Sequence, residues 1–169
     1  MSTFYHIKGV TVTANFSNCK NYRYRLSIKK NDVLGTKKVC VIMQNPSIAG
    51  EDIADLSVQK LEKLIFTMDN YEEFREVNEI IIVNQFADIQ TTDFNGFNSV
   101  PNKENDQFVR EAIDSSDIIL IAWGKSNPYQ EQINKINSWL ENTDKLLLQT
   151  ERHPSRMGYD DCIKPYNIY

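Results

Sequence analysis

Four short apolar segments, separated by amphipathic helical segments, dominate the sequence from residue 38 onward. Apolar runs of this length, bounded by turn residues, are typical of strands that are buried on both faces. Strands that alternate with helices are joined by right-handed crossovers, so they form a parallel sheet covered by helices on both sides. The predicted strands are Lys38–Met43, Ile80–Val83, Ile118–Ala122 and Lys145–Gln149, and the predicted helices are Asp55–Asp69, Glu104–Ser115 and Pro128–Glu141.

The first 37 residues follow a different pattern. Val10–Thr13 and Tyr22–Leu26 alternate in the manner of half-exposed strands, which predicts a hairpin or an addition to a sheet edge. No repeat, low-complexity tract or linker divides the 169 residues, which are enough to bury one core. We therefore expect one domain over residues 1–169, with an N-terminal β extension at 1–37 and an α/β core at 38–169. The expected fold is α/β, with three α/β/α layers around a central four-stranded parallel sheet.

The charged side chains are distributed unevenly along the chain. The formal net charge is −4, yet the first 40 residues hold eight basic side chains and one acidic side chain, Asp32. An acidic total argues against a protein that wraps long nucleic acid. Any DNA contact is therefore expected to be local, around Arg152, Ser155 and Arg156, and the basic arm contributes only if its strands border that region.

Several other classes are excluded by composition. The longest apolar run, Ile118–Trp123, has six residues, far below the ~20 that a membrane helix needs. No secretory signal is visible, and three separated cysteines without a Cys-x-x-Cys pair fit reduced thiols. Two histidines cannot form a multi-histidine metal site, and the few acidic pairs are more typical of solvated surface than of a magnesium site. We expect a cytoplasmic protein with no membrane contact, metal or cofactor.

All four predicted strands end in polar or aromatic residues. In open parallel sheets, ligands bind beyond the carboxyl ends of the strands. An Asn amide offers both a donor and an acceptor, which suits the edge of a nucleobase. Four such ends on one edge of a sheet predict a ligand pocket. The groups are Gln44-Asn45-Pro46-Ser47, Asn84-Gln85-Phe86, Trp123-Gly124 and Arg152-His153-Pro154-Ser155.

These strand ends belong to a longer series of short motifs. The series is Arg23-Tyr24-x-Leu26, Asn45-Pro46-Ser47-x-Ala49, Asn84-x-Phe86-Ala87, Pro101-x-x-Glu104-Asn105, Trp123-Gly124 and His153-Pro154. It resembles a bacterial and phage family, the domain of unknown function 1643 family, from Tyr22 to Tyr169. That resemblance implies a protein carried by a mobile genetic element.

Four of the motifs are also similar to those of the uracil-DNA glycosylase superfamily. They are Met43-Gln44-Asn45-Pro46-Ser47-Ile48, similar to Gly-Gln-Asp-Pro-Tyr-His; Ile80–Asn84, similar to the strand that ends in a base-binding Asn; Ile121-Ala122-Trp123-Gly124, similar to Leu-Trp-Gly; and His153-Pro154-Ser155-Arg156-Met157-Gly158, similar to His-Pro-Ser-Pro-Leu-Ser. The resemblance implies a uracil-DNA-glycosylase-like fold.

The resemblance also implies a role for each matching residue. Breaking an N-glycosidic bond places positive charge on the sugar and negative charge on the departing base. A carboxylate beside the sugar and a hydrogen-bond donor at the base would stabilise these two charges. By resemblance, Asn45 and His153 hold the catalytic positions, and His153 donates to the base. The base-binding positions are Gln44, Asn84 and Phe86, and the phosphate or DNA contacts are Ser47, Ser155, Arg156 and Met157, the last in place of the apolar side chain that fills the gap left by a flipped base.

Three departures from the superfamily pattern weaken this predicted site. Asn45 stands where the superfamily has a water-activating Asp, and an amide is not a base at neutral pH, although the mismatch-specific branch also has Asn there. Ser47 replaces the Tyr that excludes larger bases, and neither Phe66 nor Phe86 has the spacing of the stacking Phe. We therefore expect a pseudoenzyme that lacks efficient uracil excision. It would bind DNA, a nucleotide or a protein partner such as a uracil-DNA glycosylase inhibitor, an acidic DNA mimic.

Two alternatives remain open from the sequence. One is an active hydrolase for a modified or non-uracil base, in which Asn45 positions water and His153 stabilises the leaving group. The other is a structural interaction module, in which Asn45-Pro46 is only a turn, Asn84 only caps a loop and His153 is only a loop residue. A pocket too small for a pyrimidine would favour the pseudoenzyme, and an open pocket with an aromatic ring on its wall would favour catalysis.

Overall fold

The apolar runs form the parallel centre of a seven-stranded mixed sheet in the computed structural model, which describes residues 2–168. The predicted α/β class with parallel central strands is therefore confirmed, whereas the sheet has seven strands in place of the predicted four. The strands in chain order are β1 (Val10–Phe16), β2 (Arg23–Lys30), β3 (Lys37–Met43), β4 (Val77–Asn84), β5 (Ile118–Ile121), β6 (Leu146–Thr150) and β7 (Ile163–Pro165), and their order in the sheet is β1-β2-β4-β3-β5-β6-β7.

The outer strands extend the parallel centre in the antiparallel sense at both edges. β1 and β2 form a hairpin, and β2 pairs with β4 so that Leu26 lies opposite Ile82. The predicted N-terminal β addition is thus part of the main sheet. At the other edge β7 pairs with β6. β7 is missing from the sequence prediction because three residues are too few to show an alternating pattern.

Three α-helices connect the strands, namely α1 (Leu56–Glu62), α2 (Lys103–Ser115) and α3 (Gln130–Leu140). Asp55, the first residue of the predicted helix, caps α1, because its carboxylate accepts a hydrogen bond of 2.8 Å from the Val58 N–H. The helix predicted to extend to Asp69 is α-helical only to Glu62 and continues as a π-helical segment, Lys63–Thr67. No helix within residues 2–168 has the length and hydropathy to cross a membrane.

The sheet separates two apolar clusters, since successive side chains of a strand point to opposite faces. In β4, Ile80 and Ile82 pack on the α1 side, and Ile81 and Val83 pack on the side of α2 and α3. The helices contribute Val58, Leu61, Leu64 and Ile65 to the first cluster and Val109, Ala112, Ile113, Ile136 and Leu140 to the second. This layering brings the carboxyl ends of all four parallel strands to one edge.

Candidate functional site

A cavity of about 1060 Å³ lies at the carboxyl ends of the parallel strands, where a ligand pocket is predicted. Its wall combines the segments that follow β3, β4, β5 and β6 with the start of α1 and with residues 2–4. We call it the strand-end cavity. Its polar and aromatic wall residues include Gln44, Asn45, Ser47, Asp55, Asp93, Phe94, Trp123, Arg152, His153, Ser155 and Arg156.

His153 lies in the loop after β6, beyond Glu151 and Arg152, and has one ring nitrogen engaged. Its Nδ1 accepts a hydrogen bond of 3.3 Å from the Ser155 N–H and lies 2.8 Å from the Ser155 hydroxyl. Because Nδ1 is an acceptor, the proton of the neutral ring is on Nε2. No residue in the described part of the chain bonds to Nε2. The Nε2–H is therefore free to donate to a ligand.

The surroundings of His153 favour the uncharged ring. Burial is the main cause that lowers the pKa of His153 from its usual 6.5. The Asp55 carboxylate opposes this shift, and the Arg156 guanidinium adds to it. At neutral pH the side chain is therefore a neutral hydrogen-bond donor.

Gly124 explains why the Trp-Gly pair belongs to this site. Its φ of +86° is one that other residues rarely adopt. A Cβ atom at this position would be in ordinary contact with the Cβ of His153, at 3.5 Å, so the backbone conformation and not a steric clash requires the glycine. The glycine thus allows the segment after β5 to turn directly against His153.

Asp55 is a carboxylate on the cavity wall, but both of its oxygens are engaged. Oδ1 accepts from the Val58 N–H, and Oδ2 accepts from the Ser47 hydroxyl. These bonds join the segment after β3 to the start of α1. Asp55 interacts electrostatically with His153, and Ser47 affects His153 through its hydrogen bond to Asp55. Because both of its oxygens are engaged, Asp55 is not a free general base.

Asn45 uses its amide nitrogen to hold the loop that follows β4. Nδ2 lies 3.2 Å from the carbonyl oxygen of Pro46, 3.4 Å from that of Asp88 and 2.8 Å from that of Gln90. Three carbonyl oxygens around one atom require a donor there, which an Asp carboxylate does not provide. Asn at this position thus has a structural role, and its Oδ1 remains an acceptor for water or ligand.

Asn45→Asp is expected to lower the free energy of unfolding by about 1–3 kcal/mol, because a carboxylate would face unpaired carbonyl oxygens. We also expect no uracil release from the variant. Urea unfolding and an abasic-site assay measure both effects. Asn95→Asp is the matched control, since Asn95 uses only its side-chain oxygen, as acceptor from the Phe97 N–H. A variant as stable as the wild type would contradict the role assigned to Asn45.

Asn84 ends β4 but does not line the strand-end cavity. Its side chain is 1% exposed, and both amide atoms lack a hydrogen-bond partner among the described residues. Asn84 is next to Met43 in the sheet, and Met43 does line the cavity. Its backbone carbonyl accepts a bond of 3.0 Å from Asn105 Nδ2. The predicted base-binding amide is therefore buried beside the cavity, with its polar atoms unsatisfied.

The other predicted site residues divide between the cavity and the protein interior. Gln44, Ser47, Ser155 and Arg156 line the cavity. Phe86 lies instead on a second, smaller cavity. Met157 is buried in the core on the α1 side, and its carbonyl accepts a bond of 2.8 Å from Lys60 Nζ. The exposed side chain next to it in this loop is Arg156.

Two residues in or beside the site, Phe94 and Arg23, are not among the site residues predicted from the sequence. Arg23 is 2% exposed, and its Nη1 donates a bond of 2.6 Å to the Ala49 carbonyl. Phe94 supplies an aromatic ring on the cavity wall that neither Phe66 nor Phe86 provides. Phe94 lies in an irregular loop, where no periodic pattern identifies it. For Arg23, the only indication of a role in the sequence is its place in the Arg23-Tyr24 motif.

Most of the basic arm lies away from the strand-end cavity. Lys37 pairs with Glu76 at 3.1 Å, and Lys38 pairs with Glu79 at 3.4 Å. These pairs lie at the amino ends of β3 and β4, opposite the cavity. Among the described residues, the unpaired positive charge at the cavity instead comes from Arg152 and Arg156, because Lys125, also in the wall, is paired with Glu151 at 2.5 Å.

The comparisons with known proteins identify a family and no activity. The family described as protein of unknown function (DUF1643) matches residues 23–156. No curated protein and no solved structure matches the chain. Within residues 2–168, no group of three or more His, Cys, Asp and Glu side chains is placed to hold a metal ion.

Proposed function

The chain belongs to the DUF1643 family, and we propose that it is a uracil-DNA-glycosylase-like protein whose strand-end cavity binds a nucleobase or nucleotide without efficient uracil excision. The resemblance of its strand-end motifs is the starting point. It is supported by the four parallel strands, whose carboxyl ends bring three of the four motifs to one cavity wall. The fourth, around Asn84, lies beside that wall.

The observation that carries the proposal is the free Nε2–H of His153. A neutral imidazole on the wall can donate to a carbonyl oxygen of a base without a charge of its own. The rings of Phe94 and Trp123 lie on the same wall and offer surfaces for stacking. The volume of the cavity, about 1060 Å³, lies just above the ~300–1000 Å³ typical of ligand sites. A pyrimidine nucleotide therefore fits with room to spare.

An open cavity with aromatic rings on its wall is the form expected for catalysis, but neither Asn45 nor Asp55 is available as the general base that rapid excision requires. Asn45 cannot remove a proton from water, and the Asp55 carboxylate is engaged by Ser47 and Val58. Binding is therefore favoured over chemistry.

Phosphate would be bound at the outer edge of the cavity. Arg152 and Arg156 are exposed there, on either side of His153 and Ser155. Two arginine contacts to a single strand correspond to a slope of about −1.4 for log K against log salt concentration. This value describes a local contact and not extended wrapping.

The first test measures the binding of the full chain to a labelled single-stranded oligonucleotide that contains one uracil. We expect His153→Ala to lower affinity about tenfold, through loss of one hydrogen bond to the base. Arg156→Ala should bring the salt slope to about −0.7. Arg75→Ala is the control, because Arg75 is exposed and does not line the cavity. Alkaline cleavage of the same oligonucleotide should show no abasic product.

Two results would contradict the proposal. Unchanged DNA binding in both His153→Ala and Arg156→Ala would indicate a structural interaction module whose strand-end residues do not contact the DNA. Efficient uracil release by the wild type would indicate a functional glycosylase.

A second candidate function, hydrolysis of a modified or non-uracil base, is favoured by Asp93. This exposed carboxylate lines the cavity, and no hydrogen bond engages it among residues 2–168. It could stabilise a cationic sugar while Asn45 Oδ1 positions water. A panel of modified pyrimidines in single- and double-stranded DNA tests this function. If the wild type releases one of these bases and both Asp93→Asn and His153→Ala abolish the release, the hydrolase function is established. If the wild type releases none of them, this function is ruled out.

The protein partner proposed for the same surface is a uracil-DNA glycosylase inhibitor. Such an acidic DNA mimic would contact Arg152 and Arg156 through charge complementarity. We expect it to compete with the oligonucleotide and to bind Arg156→Ala more weakly. No complex at micromolar concentration would remove this partner.

A further inference from the structure

A second cavity, of about 320 Å³, lies where β4 ends and α2 and α3 begin. We call it the amide cavity. It is on the sheet face covered by α2 and α3, and its wall shares no residue with that of the strand-end cavity. Its wall includes Gln85, Phe86, Phe97, Asn105, Tyr129 and Lys135.

Three side-chain amides in this wall, those of Gln85, Asn105 and Gln132, each have a polar atom that is unpaired within residues 2–168, and the first two residues are almost fully buried. Gln85 is 3% exposed and Asn105 is 2% exposed. Gln85 Nε2 and Asn105 Oδ1 have no hydrogen-bond partner in the described chain. A buried unpaired polar atom is costly, so its presence at a cavity wall calls for a partner.

A chain of hydrogen bonds fixes the orientation of Gln85. The Tyr129 N–H donates to Asn127 Oδ1 at 3.0 Å, so the other end of the Asn127 amide is a donor. Asn127 Nδ2 donates to Gln85 Oε1 at 2.6 Å. The oxygen of Gln85 is thereby engaged, and its Nε2 is left as a free donor.

Asn105 is oriented in the opposite sense. Its Nδ2 donates to the carbonyl oxygens of Asn84, at 3.0 Å, and Gln85, at 3.4 Å. Its Oδ1 is therefore the free end, an acceptor. The second bond joins Asn105 directly to residue 85, so the free donor and the free acceptor belong to neighbouring residues.

Three aromatic rings, packed edge to face or tilted against one another, line the same cavity. The ring centroid of Tyr129 lies 4.9 Å from that of Phe86 and 5.0 Å from that of Phe97. Gly96 permits this packing, since a Cβ atom there would lie 2.6 Å from the Phe86 ring and 2.8 Å from the Tyr129 ring. Phe97 is 71% exposed and offers its ring at the surface. Such surfaces suit a flat ligand.

The charges around the amide cavity disfavour an anion. Lys135, the basic residue of its wall, is paired with Asp106 at 2.8 Å, and the exposed carboxylate of Glu131 is also in the wall. A phosphate group would therefore meet one unpaired negative charge and no unpaired positive charge.

We propose that the amide cavity binds an uncharged, planar heterocycle with a cyclic amide edge. A ring carbonyl accepts from Gln85 Nε2, and the adjacent ring N–H donates to Asn105 Oδ1, once both side chains turn toward the cavity, because protein atoms cover the two free ends in this conformation. Uridine and thymidine carry this edge, whereas their phosphates add a negative charge that the Glu131 carboxylate, unpaired within residues 2–168, repels. This site is independent of the nucleotide-binding function proposed for the strand-end cavity.

The test is a titration of the ¹⁵N-labelled full chain with uridine, observed at the side-chain amide of Gln85 by NMR. We expect uridine to shift that resonance, and 3-methyluridine, which lacks the ring N–H, to leave it unchanged. Uridine 5′-monophosphate should bind at least about threefold more weakly at low salt, through charge repulsion. Gln85→Glu keeps the acceptor for Asn127 but replaces the free donor, so uridine affinity should fall about tenfold.

Gln90→Glu is the matched control, because it makes the same change on the wall of the strand-end cavity. It should leave uridine binding at the amide cavity unchanged, as should His153→Ala. Uridine binding that is lost in His153→Ala but kept in Gln85→Glu would place the ligand in the strand-end cavity and overturn this proposal alone. No shift at about 10 mM uridine, or equal binding of 3-methyluridine to the wild type, would also overturn it without requiring any variant to fold.

Discussion

Glu62→Ala is expected to lower the free energy of unfolding by about 3–5 kcal/mol near pH 6, because it removes one partner of a buried ion pair. The Glu62 side chain is fully buried at the end of α1. One oxygen accepts from His6 Nδ1, and the other accepts a bond of 3.0 Å from the Ile7 N–H. The substitution would leave both donors without a partner and also open a void.

His6 makes this contribution dependent on pH. Both ring nitrogens face acceptors, since Nε2 lies 2.7 Å from the Gly50 carbonyl oxygen. Burial opposes protonation, but the hydrogen bonds to Glu62 and Gly50 outweigh it and raise the pKa of His6 above 6.5. The stabilisation is therefore fully present below the unfolded-state pKa and is lost as the pH rises through the folded-state pKa. His6→Gln should lose most stability at about pH 5.5 and least at about pH 8.5.

Urea unfolding of wild type and variants at both pH values measures this effect. Glu72→Ala is the control, because Glu72 is exposed and forms no ion pair among the described residues. A difference between wild type and His6→Gln that stays constant with pH would show that His6 is not protonated in the folded protein. The result also concerns the strand-end cavity, because residues 2–4 form part of its wall and precede His6 directly.

The position of the strand-end cavity could be predicted from the sequence, because it follows from topology. Short apolar runs between helices require parallel strands, and parallel strands place Asn45, Trp123 and His153 at the same edge. The capping of α1 by Asp55 could also be predicted from the sequence, since capping is a local property. These inferences needed only local patterns and one rule of connection.

The functions of individual side chains could not be predicted in the same way. In the sequence, Asn45 looks like a catalytic Asp that has lost its charge. In the structure, three carbonyl oxygens from two segments surround its amide nitrogen, so the fold requires a donor there. Gln85 and Asn105 are ordinary polar residues until their hydrogen bonds are traced. The π-helical segment Lys63–Thr67 also follows the apolar spacing expected for an α-helix. Each of these depends on contacts between distant parts of the chain.

Arg23→Ala is expected to lower the free energy of unfolding by about 3–5 kcal/mol, as for loss of a large buried side chain. Arg23 links three of the sequence motifs. Its Nη1 donates to Ala49 in the motif after β3, and its backbone N–H donates to Ala87 in the motif after β4, at 3.0 Å. Burial is the main cause that lowers its pKa to about 10, and the nearby Asp55 carboxylate opposes that shift. The guanidinium remains charged at neutral pH, within the interior beside the cavity.

Arg23→Met separates the hydrogen bond from the packing, because methionine fills much of the same space without a charge or a donor. We expect it to cost about 1–3 kcal/mol, from the unpaired Ala49 carbonyl, and to speed hydrogen exchange in residues 45–50. Lys29→Met, at an exposed position of the same strand, is the control. If Arg23→Met were more stable than the wild type, the free-energy cost of desolvating the buried charge would exceed the stabilisation from its hydrogen bond. Retaining arginine would then require a functional reason, and the oligonucleotide affinity of the same variant would identify it.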